Sequence, residues 1–356
     1  MEKRASRCPA EEIPYTAGSP VVGSVSFKTL TIIIGWTCFG VTAVLWLVLI
    51  IPHLFRYKSP TEQRQIFRIT LTPLVYSFFG LVSLQAYRAA PYLEAPSKWY
   101  EACALVSLFL LYVNYVAPDA HTREEFFHGL VFLTKGQRQP GKGLRWFKRC
   151  WRMLFIYLLV FTVLFILQEI LVATDWYCSS SAQARRGHVW ITVIELVLTI
   201  WALIVIIRFQ RRLKTFMQGR NALAKLISFK LFILVTTIQN FVFNIVKTQV
   251  RGNSTITYQD IAIGLPTLLL SIEGMLFMAS FHFTMHSGPF KGHEGQKKDL
   301  RSMLKALLHA LNPEDLVHGV FWALKSFFVK SKIRAGSSDV ERPVETVDGT
   351  QGQVKG

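Results

Sequence analysis

One apolar run of the sequence, Leu226–Val246, reads LISFKLFILVTTIQNFVFNIV. It is 21 residues long, and a helix needs about 20 apolar residues to cross a ~30 Å hydrocarbon core. The run also contains four polar side chains, those of Lys230, Gln239, Asn240 and Asn244. Such groups are costly inside lipid, so they usually face other helices or a wet cavity. The run therefore predicts a membrane span that packs against partner helices.

Six more apolar runs of similar length occur in the 356-residue chain. The seven predicted spans cover residues 30–51, 66–87, 99–116, 153–173, 189–207, 226–246 and 261–285. Hydrophobic residues make up 51% of the chain and charged residues only 17%, which is typical of membrane proteins. The net charge is +18, and the charged residues lie mostly between the apolar runs. This distribution indicates attraction to anionic lipid head groups and not to nucleic acid. We predict an all-α, seven-transmembrane helix bundle.

Positive charge is distributed unevenly between the two ends of this predicted bundle. The end that includes the C-terminal tail has 28 Lys and Arg residues, and the end that includes the N-terminus has 9. Cytoplasmic loops are enriched in Lys and Arg, which predicts an N-terminus outside and a cytoplasmic C-terminus. The sequon at Asn253 then falls in an outer loop and is a candidate glycosylation site. Cys150 borders a span on the basic inner side and is a candidate lipidation site.

The chain is predicted to divide into four segments. They are a disordered extracytoplasmic tail (1–27), the seven-span bundle (28–286), cytoplasmic amphipathic helices (287–334) and a disordered C-terminal tail (335–356). The two tails are assigned from their polar composition.

The amphipathic segment has apolar residues at the spacing of one helical face, from Leu300 to Leu311. A second helix is predicted to begin at Asn312-Pro313, where a capping residue precedes a first-position proline. Lys and Arg flank both apolar faces, so we expect the two helices to lie on the anionic inner leaflet. The alternative is that they pack against the cytoplasmic ends of the spans.

Several short elements of the sequence carry a family resemblance. They are Phe67-Arg68-Ile69 followed by Thr72-Pro73-Leu74-Val75-Tyr76-Ser77, Trp99-Tyr100-Glu101-Ala102, Phe229-Lys230 with Gln239, Ser271-Ile272-Glu273, and Asn312-Pro313-x-Asp315. Together they resemble the organic solute transporter alpha-subunit-like family, and the last element is similar to that of its fungal members. The family has Arg-Asp before Tyr-Glu-Ala, whereas this chain has Ser97-Lys98-Trp99, so one acidic group is absent. The resemblance implies seven helices, transport of steroid-like or other amphipathic solutes, and a small single-span beta subunit.

Ionisable and amide side chains inside the predicted spans mark a candidate substrate pathway. Its residues are Lys230, Gln239, Asn240, Glu273, Glu195 and Glu101. Glu273 is expected near the midplane, where an isolated charge costs at least ~2.5–3.5 kcal/mol, so it must be protonated, paired or hydrated. Lys230 is expected ~8 Å from the cytoplasmic end, and the alternative for it is snorkelling to the interface. A gap of ~10 Å along the membrane normal would separate the two groups, so a water or a substrate anion would have to bridge them.

Metal-dependent and enzymatic functions find little support in the sequence. His282 and His286 are spaced i, i+4, which is compatible with a metal site, but no supporting pattern supplies a third ligand. The sequence has no Gly-rich phosphate loop, nucleophile elbow or triad spacing. We therefore predict that the protein is not an enzyme and needs no metal or cofactor.

The predicted function is transport of amphipathic organic solutes that are steroid-like, lipid-like or like secondary metabolites. Transport is expected to be facilitative or gradient-driven, because the sequence has no ATP-binding element. The alternative is a seven-span receptor or a signalling or scaffold membrane protein. Expected partners are the anionic inner leaflet, a small amphipathic solute, and either a single-span beta-type subunit or a second copy of the chain. The protein is expected in the plasma membrane or in an endomembrane of the vacuole or secretory pathway.

Overall fold

The computed structural model describes residues 18–130, 132–134, 137–139, 142–174, 176–177, 187–249, 252–288 and 300–336. Most of the two tails that were expected to be disordered, 1–17 and 337–356, lies outside these residues. The described part of the first tail is held in place, because the Ser19 N–H donates a 2.7 Å hydrogen bond to the Ser254 carbonyl. The N-terminal segment and the Asn253 loop therefore lie at the same end of the molecule.

The described residues form ten α-helices and one small hairpin. The helices are α1 (Phe27–Phe55), α2 (Pro60–Gln85), α3 (Ala90–Val116), α4 (Arg123–Gly129), α5 (Lys142–Ala173), α6 (Gly187–Leu213), α7 (Ala222–Gln249), α8 (Leu265–Thr284), α9 (Leu300–Leu311) and α10 (Glu314–Gly336). Strands β1 (Phe132–Thr134) and β2 (Gln137–Gln139) pair antiparallel between α4 and α5. Short 3₁₀ turns precede α3 and follow α6, and a π turn, Asp260–Gly264, leads into α8.

Seven of these helices, α1 to α3 and α5 to α8, are long and apolar enough to cross a membrane. The predicted seven-helix architecture is confirmed, although several helices extend beyond the predicted spans. At the end of the bundle that includes the Asn253 loop, the largest correction concerns α3, which begins at Ala90 and not at residue 99. Its first turns contain polar residues, and this composition predicts a loop. The helical conformation is supported by the ion pair of Lys98 with Glu94, one turn earlier, and by its ion pair with Glu195 of α6.

Helix α3 is the centre of the bundle and α1 lies at its edge. The stretch of α3 from Ala102 to Asn114 is buried, and the helix packs against α2, α5 and α6. Helices α2 and α8 approach closely through small residues. A Cβ added at Gly274 would lie 2.9 Å from the Ser77 hydroxyl, and one at Gly80 would lie 2.8 Å from the Thr267 methyl group. Close contacts of this type stabilise helix pairs in lipid, where no hydrophobic driving force acts between helices.

The two C-terminal helices pack on the end of the bundle, as the alternative interpretation predicted. Helix α9 buries Ala306 and Ala310 in a cluster with Ile50, Leu54 and Phe67 of α1 and α2. Helix α10 packs on α5, and the Trp151 indole N–H donates to the Gly319 carbonyl at 3.3 Å. Both helices are therefore part of the folded molecule.

Helix α9 nevertheless keeps an apolar face on the outside. Leu300 and Leu308 are 69% and 62% exposed, and Leu304 and Leu311 are also exposed. Lys305 lies on the same exposed part of the helix. An exposed leucine face beside basic residues is typical of helices at a membrane interface.

We expect this face of α9 to bind anionic bilayers. In the full-length protein, amides of residues 300–311 should exchange hydrogen more slowly in anionic than in neutral nanodiscs, and high salt should remove the difference because it screens surface charge. Leu308→Gln should weaken the effect, and Ser302→Gln, a change on the exposed polar surface, should not. Equal exchange in both lipids would contradict the prediction.

Candidate functional site

Charged side chains of α3 and α6 meet inside the spanning part of the bundle. The Lys98 ammonium lies 2.8 Å from Oε1 of Glu94 and 3.0 Å from Oε2 of Glu195. The Lys98 and Glu195 side chains are only 15% and 10% exposed. Charges are rarely tolerated at such burial unless they are paired. We call Glu94, Lys98, Glu195 and the neighbouring pair Tyr76 and Glu101 the Lys98 cluster.

The Tyr76–Glu101 pair connects α2 to α3. The Tyr76 hydroxyl donates a hydrogen bond to Oε2 of Glu101, and the tyrosine ring packs edge-to-face on Phe232 of α7. Glu101 is 9% exposed. The described residues offer no hydrogen bond to its second oxygen, Oε1. The cluster therefore contains a buried carboxylate with unused bonding capacity.

Two cavities lie beside this cluster and share Tyr76, Lys98 and Asn240 in their walls. The first, of about 120 Å³, lies between α2, α3, α7 and α8 and reaches Gln239. The second, of about 70 Å³, is lined by Glu101, Glu195 and residues of α5 to α7. Sites for drug-sized ligands usually measure about 300–1,000 Å³. In this conformation the cavities can hold a polar group, and a whole amphipathic solute would require the helices to separate.

Four of the six predicted pathway residues come together here. Glu101 and Glu195 belong to the Lys98 cluster. The Gln239 amide nitrogen donates to the Pro266 carbonyl at 2.7 Å, while its Oε1 is buried without a partner. Asn240 lines both cavities and has no hydrogen bond with the described residues.

The other two predicted residues, Lys230 and Glu273, line neither cavity. Lys230 makes no ion pair with the described residues, so a direct Lys230–Glu273 pair does not form. Oε2 of Glu273 is buried without a hydrogen-bond partner. Glu273 lies three residues, about 4.5 Å along the helix axis, beyond Leu270 in the wall of the first cavity. The cation at the cavities is Lys98, and the sequence interpretation had assigned that role to Lys230.

The histidine pair and the candidate modification sites are separate from the cavities. Nε2 of His282 lies 2.9 Å from the Leu45 carbonyl oxygen, and Nδ1 of His286 lies 3.2 Å from that of Phe283. Among the described residues, no group of three His, Cys, Asp or Glu side chains could hold a metal ion. Cys150 is only 6% exposed, and this burial argues against lipidation. Asn253 is exposed, and its glycosylation stays a prediction.

A larger cavity of about 560 Å³ lies at the opposite end of the bundle, beneath α9 and α10. Asp315, at the start of α10, closes it on one side. Arg68 donates to Oδ2 of Asp315 at 3.0 Å and lies 2.8 Å from Oδ1, and Gln65 donates at 2.6 Å. Arg68 also donates to the Asn312 carbonyl. These contacts attach the turn between α9 and α10 to α2.

The sequence interpretation missed Lys98 and the contact between Tyr76 and Glu101. The spacing of Glu94 and Lys98 is i, i+4, which favours an ion pair on a helix. The hydropathy of residues 88–98 nevertheless predicts an outer loop, in which such a pair would not form. The partnership of Lys98 with α6 has no signal in a single sequence.

Comparisons with known proteins agree with the resemblance. A family model described as "Organic solute transporter Ostalpha" matches residues 31–289. A transmembrane protein 184 homolog from Dictyostelium discoideum is 22% identical over an alignment of 216 positions that covers 56% of this chain and 39% of that protein. The chain thus spans well under two thirds of this relative. Since the relative is not from a fungus, the likeness to fungal members stays a prediction. No solved structure matches the chain. The family match covers more than half of the sequence, so the chain belongs to the organic solute transporter Ostalpha family, a family of integral, multi-pass membrane proteins.

Proposed function

We propose that this protein carries amphipathic organic solutes across a membrane and that the polar group of the solute binds in the two cavities at the Lys98 cluster. The observation that carries the proposal is the convergence of unsatisfied polar atoms on cavities within the spans. They are the buried Gln239 Oε1 and Thr192 hydroxyl, together with Glu101 Oε1 and the Asn240 amide, which have no hydrogen bond with the described residues. Buried polar atoms are normally paired. A group of unpaired ones around a cavity is therefore well suited to bind a ligand.

Access from both membrane faces is part of the proposal. The small cavities lie at the end of the bundle near the Asn253 loop, and the 560 Å³ cavity lies at the other end. The buried stretch of α3 from Ala102 to Asn114 separates them. A solute would cross only when the helices around this stretch rearrange. With no ATP-binding element in the sequence, the solute gradient is the proposed driving force, and we expect no catalytic activity.

The proposed orientation has the N-terminus outside and α9 and α10 in the cytoplasm. We expect position 253 to be glycosylated, or to react with a membrane-impermeant cysteine label added outside. The 214–221 turn should react with this label only after permeabilisation, because Lys and Arg concentrate at the end of the bundle that includes this turn. Ser287, at the same end as the turn, provides a control position. Labelling of positions 253 and 214–221 from one face would contradict this orientation.

Solute flux in vesicles that contain only the purified protein tests the proposed function. We expect uptake and efflux of a steroid-like amphipath down its gradient, and we expect Asn240→Leu to reduce both, since it removes a polar group from both cavity walls. Ile238→Leu, on the exposed side of α7, is the matched control. Flux only after addition of a single-span partner would indicate an obligate beta-type subunit. Binding without flux under either condition would overturn the carrier proposal in favour of a receptor.

A further inference from the structure

The carboxylates of the Lys98 cluster outnumber its cation. Lys98 forms ion pairs with Glu94 and Glu195, and none of the ion pairs among the described residues includes Glu101. Glu94 is 32% exposed and can be solvated. Even without Glu94, the cluster has two buried carboxyl groups, those of Glu101 and Glu195, for one ammonium group, and that ammonium group pairs with Glu195. When both of these carboxyl groups are ionised, one negative charge has no cation partner among the described residues.

The neighbours of Glu101 on each packed helix are neutral apart from this cluster. Helix α2 contributes the Tyr76 hydroxyl, and α5 contributes the Phe161 ring to the same cavity. Helix α6 contributes Glu195 and Thr199, and α7 contributes Thr236 and Asn240. None of these groups supplies a positive charge. Lys98, on the same helix as Glu101, is already engaged by two carboxylates.

The second cavity provides both an acceptor and aromatic walls. Oε1 of Glu101, in a side chain more than nine-tenths buried, has no hydrogen-bond partner among the described residues, and the Thr192 hydroxyl in the same wall is buried without one. The rings of Tyr76, Phe161 and Phe241 also line this cavity. A carboxyl group and aromatic rings in one cavity wall can bind an ammonium group, through charge-assisted hydrogen bonds and cation–π attraction.

We infer that Glu101 accepts the ammonium group of the solute, so that the carrier prefers amphipathic cations. This inference rests on the proposed function and specifies its substrate class. The amine would donate to Oε1 of Glu101 and to the Thr192 hydroxyl, beside Glu195. Its positive charge would supply the neutralisation that the described residues do not.

Three ligands that differ in one group test the inference. A tritiated fused-ring amphipath carries a primary amine, a hydroxyl or a carboxylate at the same carbon, and equilibrium binding and vesicle uptake are measured with the full-length protein. We expect the amine to bind about tenfold or more tightly than the alcohol, in line with hydrogen bonds to charged groups, and the acid to bind most weakly. Glu101→Gln should abolish this preference, because the amide is neutral but still accepts the Tyr76 hydrogen bond.

The control is Glu169→Gln, which changes a partly buried glutamate of α5 that lines neither cavity. It should retain the amine preference.

Equal affinity for the three ligands, tightest binding of the acid, or an unchanged preference in Glu101→Gln would each overturn the inference. So would uptake of the alcohol with protons, detected by a pH dye inside the vesicles and lost in Glu101→Gln, because the positive charge would then come from a proton. If none of the ligands binds or moves, the proposed function itself fails. Transport of the alcohol or the acid without an amine preference refutes only the cation inference.

Discussion

Replacing Asp315 with asparagine is expected to loosen α9 and α10 from the end of the bundle. The change leaves the Arg68 guanidinium, 7% exposed, without its carboxylate partner, and it also removes the 3.4 Å ion pair with Arg64. Breaking a buried ion pair by removing one partner costs about 3–5 kcal/mol. Because Asp315 keeps 17% exposure, we expect a cost near the low end, about 3 kcal/mol.

Hydrogen–deuterium exchange of α9 and the first turns of α10 measures this effect directly. A cost of about 3 kcal/mol corresponds to roughly a hundredfold increase in the local opening constant. Glu314→Gln is the matched control, since Glu314 is exposed and its amide replacement still accepts the hydrogen bond from Asn312. Exchange in Asp315→Asn that equals that of Glu314→Gln would contradict the prediction.

The same attachment should persist at neutral pH. Burial raises the pKa of Asp315, but the hydrogen bond and charge of Arg68 and the charge of Arg64 outweigh burial and hold that pKa below its usual range. A carboxyl whose pKa is lower in the folded state stabilises that state fully above the unfolded pKa, about 3.9. The contribution is lost as the pH falls through the lower folded pKa. The protection of the wild-type α9 amides against hydrogen exchange should therefore be the same at about pH 6 and about pH 8.

Lys98→Met should have the second large effect, on the stability of the whole bundle. Methionine retains the length and apolar stem of lysine, but Glu195, 10% exposed, loses its cation. The expected cost is again about 3–5 kcal/mol. The midpoint of thermal unfolding, followed by tryptophan fluorescence of the purified protein in mild detergent, should fall clearly below that of the wild type.

A double variant separates loss of the ion pair from loss of packing. Lys98→Met with Glu195→Gln should recover most of the lost stability, because no charge is then left buried and unpaired. Lys230→Met is the control, since Lys230 makes no ion pair with the described residues; it should change stability by no more than about 0.5 kcal/mol. An unchanged midpoint in Lys98→Met, or no recovery in the double variant, would show that the cluster does not stabilise the fold.

The membrane architecture could be predicted from the sequence because a bilayer permits few solutions. An apolar run such as Leu226–Val246 must form a helix in lipid, where every backbone polar group needs an internal partner. Seven such runs gave seven helices. The same argument identified Glu101, Glu195, Gln239 and Asn240 as unusual, since polar groups in a span require neighbours.

The helix ends could not be predicted with the same precision. Glu94, Ser97 and Lys98 are polar, so the hydropathy pattern stopped the third span at residue 99, whereas α3 begins at Ala90. Whether polar residues at the end of an apolar run continue the helix depends on what they contact. Here Lys98 contacts Glu195, 97 positions further along the chain.

Partnerships between distant residues were decided by the tertiary structure. The sequence marked Arg68, Tyr76, Glu101 and Asp315 as parts of separate elements, and in the fold Arg68 binds Asp315 and Tyr76 binds Glu101. Lys230 and Lys98 illustrate the physical reason. A sequence gives the depth of a residue along its helix, because the rise per residue is constant. The direction in which its side chain points relative to other helices follows from how the helices pack, and that direction put Lys98 at the cavities while Lys230 lines neither of them.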